Sequence, residues 1–300
     1  VLTVVASACA APLARAVSAL LGTGLLELRT RGFSNGQIEV DLPQAALDGD
    51  AALFQLFPDR VHDRITELLF ALDTLRARGA RRVTAVLPYL PYSRSDAPAS
   101  PGGPVPARLF AALLECAGLD RLITAELHAP QLRGLFRAPV TEIDTSRLIA
   151  ARLRATRPDG WVVVSPDLGG GKRAERLAAA LAAPVAVMRK RRHGEVKESF
   201  ELLGDVAGRH AVLLDDEINS GETLLSAAPI LRRRGAASVT AAATHALFAP
   251  GAEERLRAGG LDLLLVTDGT GCATSPGPPI ERLSLAPELA AALAGKRPPG

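Results

Sequence analysis

Two adjacent aspartates, Asp215 and Asp216, close an apolar run in the stretch VLLDDEINSGETLL (residues 212–225), and Ser, Gly and Thr follow at once. Adjacent carboxylates repel each other, and a strand in the middle of a parallel sheet does not need them. The stretch reads as a strand ending on its acids, a tight turn from Asn219 through Gly221, and a helix beginning near Thr223. Free N–H groups at such a helix start, with the positive end of its dipole, attract an anion such as phosphate. Ser220 and Thr223 add hydroxyl donors. The acids cannot bind that phosphate, so they face hydroxyl groups or a metal beside it. A sugar phosphate, with a phosphate at one end and a diol at the other, meets both demands. The plain alternative is an ordinary strand-to-helix turn with a capped helix.

Other residue types also suggest chemistry. Lysine is scarce, at positions 172, 190, 197 and 296 among 35 basic residues. Where it is retained, a compact, rotatable ammonium can be required in place of the planar arginine fork. Lys190 and Arg192 lie in an RKRR run just after an apolar strand, which taken alone reads as a solvated basic edge. Lys197 and Lys296 read as surface. GGGK around Lys172 is not a P-loop, because no Gly lies five positions before Gly171 and Arg173 stands where Ser or Thr is needed. His128 follows an apolar strand beside Glu126, and Asp167 ends WVVVSP before three glycines. A lone histidine at a strand end is commonly structural, and His245 is read so.

These residues need a frame. Apolar runs such as RRVTAVLPYL, RLITAELHA, WVVVSPD, AVLLDD, SVTAAATHALF and LDLLLVTD alternate with amphipathic stretches such as DRITELLFALDTLRARG, ARLFAALLECAG, KRAERLAAALAA and ETLLSAAPILRRRG. Alternation of this kind predicts an α/β fold with largely parallel sheets. The 300 residues suffice for two domains. GLDRLITAELHA laid over GAASVTAAATHA aligns His128 with His245, the trace that two copies of one α/β unit would leave, with a boundary near 145–155. The expected domains are 1–147 and 148–294, with a tail at 295–300. No apolar run reaches the roughly 20 residues that a membrane helix needs. The first residues read as a strand and helix in place of a signal peptide, since no basic segment precedes them and Arg15 interrupts the run. Cys9, Cys116 and Cys272 are odd in number and widely spaced, so they read as small buried thiols in a reducing cytoplasm. A net charge of +3 with few interleaved aromatics argues against nucleic acid as a partner and leaves polyanionic small molecules open.

LLDDEINSGETL resembles the phosphoribosyl-pyrophosphate signature DDxxDTGGT of phosphoribosyltransferases and ribose-phosphate pyrophosphokinases, and further segments resemble the second family. LPYLPYSRSD is similar to its PYARQD, AELHAPQLRGLF to DLHAxQxQGFF, VVVSPDLGGGKRAERLA to VSPDxGGxxRAxxLA, MRKRR to DKRR, ATHALF to ATHxxF, and RLSLAPELAAAL to SVAPLLAEAI. The matches run in family order over nearly the whole chain. The resemblance implies two phosphoribosyltransferase-like domains that move the terminal pyrophosphate of ATP to the anomeric hydroxyl of ribose 5-phosphate, with Mg²⁺ as cofactor. It implies Lys190 and Arg192 as catalytic residues on a mobile loop and His128 and Asp167 as ligands of the metal or its phosphates. Asp215 and Asp216 would hold the ribose hydroxyls, with Asn219, Ser220, Gly221, Glu222 and Thr223 around the 5-phosphate. For ATP it implies Phe33 and Arg94 clasping the adenine, with Asn35, Gln37, Ser95 and Asp96 nearby; Phe33 as plain core is the competing view. It also implies a cytoplasmic homo-oligomer, dimers or hexamers with shared ATP sites, and neither nucleic acid nor membrane as partner.

The chain departs from the pattern at several points. Asn219 and Ser220 replace Asp and Thr, Glu222 replaces the second Gly, and Ser95 replaces a Gln. The stretch SDAPASPGGPVPAR is rich in Ala, Pro and Gly where many family members carry Arg and Lys. Weaker ATP affinity and altered control by phosphate and ADP are the expectation. The competing readings are a noncatalytic regulatory relative and a phosphoribosyltransferase that consumes the pyrophosphorylated sugar.

Overall fold

The structure, a computed structural model, describes residues 1–43, 46–193, 197–271 and 277–296, with the backbone alone for 190–193 and 197–200. Strand and helix alternate from the start. β1 (Leu2–Ala6) leads into α1 (Ala11–Leu21), which has Pro12 in its first turn and is closed by Gly22 in the left-handed region. Both are placed where their backbones suit a helix end. β2 (Leu25–Glu27) follows, then an antiparallel hairpin of β3 (Arg29–Gly32) and β4 (Ile38–Asp41). β5 (Gly49–Phe54), α2 (Val61–Ala77), β6 (Ala80–Val86), α3 (Pro106–Cys116), β7 (Arg121–Ala125) and β8 (Val140–Ile143) complete a parallel sheet of order β2-β1-β5-β6-β7-β8.

A second sheet repeats the plan. α4 (Ser146–Thr156), β9 (Trp161–Ser165), α5 (Gly171–Leu181), β10 (Val185–His193), β11 (Lys197–Leu203), β12 (His210–Ile218), α6 (Glu222–Arg233), β13 (Ser238–Ala246), α7 (Ala252–Ala258), β14 (Leu263–Thr267) and β15 (Ile280–Leu283) give the order β11-β10-β9-β12-β13-β14-β15, parallel except for β11. α4 and α5 share one apolar cluster with the sheet, and α6 and α7 another. Covered on both faces, β9, β13 and most of β14 are continuously buried and mostly apolar, as suits parallel strands.

The chain divides into two units, residues 1–143 with 268–272 and 284–300, and residues 144–267 with 273–283. The expected boundary at 147 falls inside α4. The last helix, α8 (Ala286–Leu293), returns to the first unit, where it packs on α1 and β8 and accepts a hydrogen bond of 3.1 Å from Arg121 through the Ala292 carbonyl. Cys116 is exposed on the last turn of α3 and Cys9 is half-buried, so neither is the buried thiol expected, while Cys272 lies outside the described residues. No helix among the described residues is long and apolar enough to cross a membrane.

The duplication is real, but its register differs from the sequence echo. Counted outward from β5 and β12, β6 corresponds to β13 and β7 to β14, so His128 and His245 are not equivalent. The matching segments are LRARGARRVTA (75–85) and LRRRGAASVTA (231–241). Each carries the same clamp. Asp120 accepts the Val83 N–H at 2.6 Å and pairs with Arg76; Asp262 accepts the Val239 N–H at 2.7 Å and pairs with Arg232 at 3.0 Å. Val83 and Val239 are fully buried, so either N–H would lose its partner if the acid were removed. Asp262→Ala and Asp120→Ala are each expected to lower stability by about 1–3 kcal/mol in urea denaturation.

Candidate active site

The strand order of the second sheet reverses between β9 and β12, because α5 carries the chain to β10 on one side and β12 returns on the other. In open parallel sheets such a switch point leaves a crevice beyond the carboxyl ends of the strands, the usual ligand site. The Asp215–Asp216 pair stands there. β12 does not end on its acids as expected. It continues through Ile218, because β13 runs beside it as far as Ala246. Its ladder with β9 stops at Leu213, however, so the β9 side of residues 214–218 is open.

Asp216 is buried and Asp215 retains a quarter of its side-chain exposure. Arg173, from the first turn of α5, lies with Nη1 3.4 Å from Asp216 Oδ1 and 4.0 Å from Asp215 Oδ1. Burial, and then the neighbouring Asp216 carboxyl, push Asp215 up to about 8, against the pull of Arg173. Asp215 is therefore held protonated at neutral pH, and a neutral carboxylic acid can both donate to a sugar hydroxyl and accept from one.

Beyond Ile218 the chain turns through Asn219, Ser220 and Gly221 into α6. The helix starts at Glu222, one residue before the position expected. Gly221 is buried at φ +75°, and a Cβ there would lie 2.9 Å from Leu256. Arg255 of α7 donates to the Ser220 carbonyl at 3.1 Å and holds the turn from behind. The Glu222 and Thr223 side chains are exposed, and the Glu222 N–H points at Ser220 Oγ, 3.4 Å away. The helix-start geometry needed for a phosphate is thus present. Gly221→Ala is expected to lower stability by about 1–3 kcal/mol, through backbone strain and the Leu256 clash. In urea denaturation it should also lose part of the stabilisation that added inorganic phosphate gives the parent chain.

Asp167, at the same end of β9, is exposed; its Oδ1 accepts the Gly170 N–H at 2.8 Å, and Ser165 Oγ donates to its carbonyl at 2.7 Å. Gly170 must lack a side chain, since a Cβ would lie 2.6 Å from Ser165 Oγ. Lys190 and Arg192 lie on β10, which pairs with β9 only as far as Val187 and continues with β11 as an antiparallel ribbon, with Lys190 opposite Phe200 and Arg192 opposite Glu198. Their surroundings are thus ribbon arms where a loop was expected; their side chains and residues 194–196 lie outside the described residues.

In the first unit, His128 is exposed on the loop after β7. Glu142 holds that loop: it accepts the Leu127 N–H at 2.9 Å and pairs with Arg133. Gln131 donates to Asp96 at 2.7 Å and ties the loop to the Arg94–Asp96 turn. His245, by contrast, is buried in β13, as a structural residue should be. Phe33 is 43% exposed at the hairpin turn, which removes the plain-core reading, and the Arg31 guanidinium lies 5.3 Å from its ring centre. Asn35 and Gln37 hydrogen-bond to each other at 3.1 Å. A cavity of about 580 Å³ lies between the hairpin and α2, with Phe33, Gln37, Arg60, Arg64, Glu67 and Phe70 in its wall. Arg173, Arg255 and Glu142 were not singled out from the sequence as site residues. A cation in the first turn of α5, where the helix dipole disfavours it, was the available signal for Arg173.

Among the described residues no group of three metal-ligating side chains converges. The exposed Asp167 carboxylate offers the oxygen donor that suits a hard cation carried mainly by a substrate's phosphates, as Mg²⁺ usually is, while exposed His128 belongs to the first unit.

Comparison with known proteins agrees with this geometry. A family model described as the N-terminal domain of ribose phosphate pyrophosphokinase matches residues 2–118, and one described as a phosphoribosyl transferase domain matches residues 135–260. A ribose-phosphate pyrophosphokinase of Burkholderia pseudomallei is 38% identical over 85% of this chain and 81% of its own, and one of Chromobacterium violaceum is 39% identical over 79% and 73%. The crystal structure of phosphoribosylpyrophosphate synthetase from Mycobacterium smegmatis superposes with a TM-score of 0.90 at 33% identity, covering 98% of both chains. Family models matched over residues 2–118 and 135–260, with relatives 38% and 39% identical over most of their own length, mean that the chain belongs to the ribose-phosphate pyrophosphokinase family.

Proposed function

We propose that this chain transfers the β,γ-pyrophosphoryl group of ATP to the C1 hydroxyl of ribose 5-phosphate. The sugar oxygen bonds to the β-phosphorus, the bond from that phosphorus to the α,β-bridging oxygen breaks, AMP leaves, and the hydroxyl proton is released. The observation that carries the reading is the acid pair set directly before a Gly-headed helix start, since a diol reader beside an anion site matches the two ends of ribose 5-phosphate.

In this reading Asp215 and Asp216 take the ribose hydroxyls, and Asn219 to Thr223 take the 5-phosphate. Lys190 and Arg192 neutralise charge on the transferring group. His128 and Asp167, each on its own unit, would serve as ligands of Mg²⁺ or of the phosphates it carries, and the ion would supply charge neutralisation. Phe33, Asn35 and Gln37 with Arg94, Ser95 and Asp96 receive the nucleotide. The domains 1–147 and 148–294 would then divide the work between ATP and the sugar, in a cytoplasmic homo-oligomer. Incubation with ATP, ribose 5-phosphate and Mg²⁺, followed by phosphorus NMR, should show AMP and a new pyrophosphorylated sugar. Release of pyrophosphate without AMP would mark a phosphoribosyltransferase instead.

One observation favours a regulatory relative: no cation occurs between Asp96 and Arg108. Binding of both substrates with no AMP formed by the purified chain would establish that reading.

A further inference from the structure

Arg173 belongs to neither the acid pair nor the phosphate loop, yet it is placed against both acids. It lies about 40 residues upstream of them and reaches them because β9, from which α5 departs, is the direct neighbour of β12. Its side chain is 13% exposed. Two features oppose a cation in that place. Burial removes its hydration, and the first turn of α5 presents the positive end of a helix dipole. The apolar side of α5 is anchored by Ala174, Leu177, Ala178 and Leu181. The glycine beside it keeps the space open: a Cβ on Gly170 would enter the gap between Ser165 Oγ, at 2.6 Å, and Arg173 Nη1, at 3.9 Å. What the arginine gains is the acid pair.

We propose that Arg173 is the positioning residue of the sugar site, fixing Asp216 and through it the pair in the arrangement that reads the ribose hydroxyls. This deepens the proposed function and rests on it. Arg173 does not touch the sugar in this account. It holds Asp216 through Oδ1, 3.4 Å from Nη1, and so fixes the direction in which the pair faces the ligand. One nitrogen, Nη1, stands 3.4 Å from Asp216 Oδ1 and 4.0 Å from Asp215 Oδ1, so the contact needs a positive charge delivered at that reach. A lysine ammonium keeps the charge on a shorter side chain.

The test compares parent, Arg173→Ala, Arg173→Gln and Arg173→Lys chains, each checked for a cooperative thermal transition. Calorimetric titration with ribose 5-phosphate alone reads the site without turnover. Steady-state assays then separate KM for ribose 5-phosphate, KM for ATP and kcat. Arg173→Ala is expected to weaken ribose 5-phosphate binding about 30-fold or more, as loss of one partner of a buried charge pair does. KM for ATP should stay within about twofold of the parent, since only the sugar's interactions are removed. Arg173→Lys should recover part of the affinity, and Arg173→Gln, which keeps the length without the charge, little. Unchanged sugar affinity in any folded neutral variant overturns the proposal. So does an equal rise in both KM values, which would make Arg173 a general structural residue. A parent chain that neither binds nor consumes ribose 5-phosphate refutes the proposed function itself, an outcome distinct from a functional parent with an unaffected variant.

Discussion

Lys190→Ala is expected to reduce kcat about 10³-fold, in the range seen when a transition-state cation is removed from phosphoryl transfer. The affinity for ribose 5-phosphate should stay within about twofold, because binding common to ground and transition states is untouched. The two expectations separate for a structural reason. Lys190 lies on the part of β10 that has already left β9, whereas the sugar loop is held by β12, β13 and α7. Pyrophosphoryl transfer concentrates negative charge on the bridging oxygens as the bond to AMP breaks, and an ammonium at that point is stabilising in the transition state more than in the ground state. Lys190→Arg should restore little, since a planar fork does not replace a compact point charge. The Lys190→Ala, Arg192→Ala double variant should lose less than the two single losses combined if both residues serve one oxyanion. Rapid quench of AMP formation with calorimetry of sugar binding checks each statement. A Lys190→Ala chain within tenfold of the parent kcat would remove Lys190 from the chemistry.

The strand–turn–helix proposed for the sugar phosphate is readable from local sequence because everything that shapes it is local. Acids, small turn residues and an amphipathic helix follow one another in 212–233, and the structure places them as a strand, a Gly221 turn and α6. Arg173 was not readable in the same way: its link to Asp216 depends on which strand neighbours which, and sheet order is not written in any one segment. The end of β12 was misjudged for a related reason. A charged pair marks a strand end only if the strand's partner also ends there, and β13 extends to Ala246. The repeat was detectable but was taken in the wrong register, since GLDRLITAELHA and GAASVTAAATHA share apolar pattern without sharing position. The Arg76–Asp120 and Arg232–Asp262 clamps identify the true one. α8 is apolar and close in sequence to β15, yet its buried face, including Leu289, belongs to the first unit. Chain proximity and packing proximity part company there.

The same comparison explains why only one switch point carries the acids. In the first sheet the order reverses between β1 and β5, and the residues after β5 are Gln55, Leu56 and Phe57, all buried. The Gln55 amide is used internally, donating to the Leu56 carbonyl at 3.0 Å and to Glu67 at 3.4 Å. The residue capping α2 is Arg60 at φ +44°, with no glycine before it. The one acid of this turn, Asp59, is paired with Arg64 at 3.2 Å, so the turn offers neither an acid pair nor a Gly-headed helix start. The duplicated plan therefore supplies two candidate crevices, and of these the second has the acid pair and the Gly-headed helix start.

Asp215→Asn should make the ligand-free chain more stable at pH 8.5, by an amount that shrinks as pH falls and is nearly gone at about pH 4. In the folded chain Asp215 titrates at about 8, against 3.8 for an ordinary aspartate, chiefly from burial and then from Asp216. Below both values each state is protonated and the contribution to stability is complete. As pH rises from about 4, the unfolded chain releases its proton while the folded chain keeps it, so the folded state binds more protons and stability falls at about 1.4 kcal/mol per unit. The fall continues until pH passes about 8, where the folded chain also deprotonates. Because Asp215 keeps a quarter of its side-chain exposure, solvent offsets part of this, and about 2–3 kcal/mol is the expected loss at pH 8.5. Asparagine resembles the neutral acid in size and cannot ionise. In calorimetric scans with a chelator present, its transition should lie about 5–10 °C above the parent at pH 8.5, the shift that such an energy gives a chain of this size. Glu288, also raised by burial, titrates alike in both chains and cancels from the difference. Ribose 5-phosphate should reverse the order: bound to the parent it supplies hydroxyls that either ionisation state can use, whereas the amide meets the same diol without a carboxylate. Parallel pH profiles for the two ligand-free chains would show that Asp215 is ionised in the folded chain well below pH 8, and that the pair meets the sugar as two carboxylates.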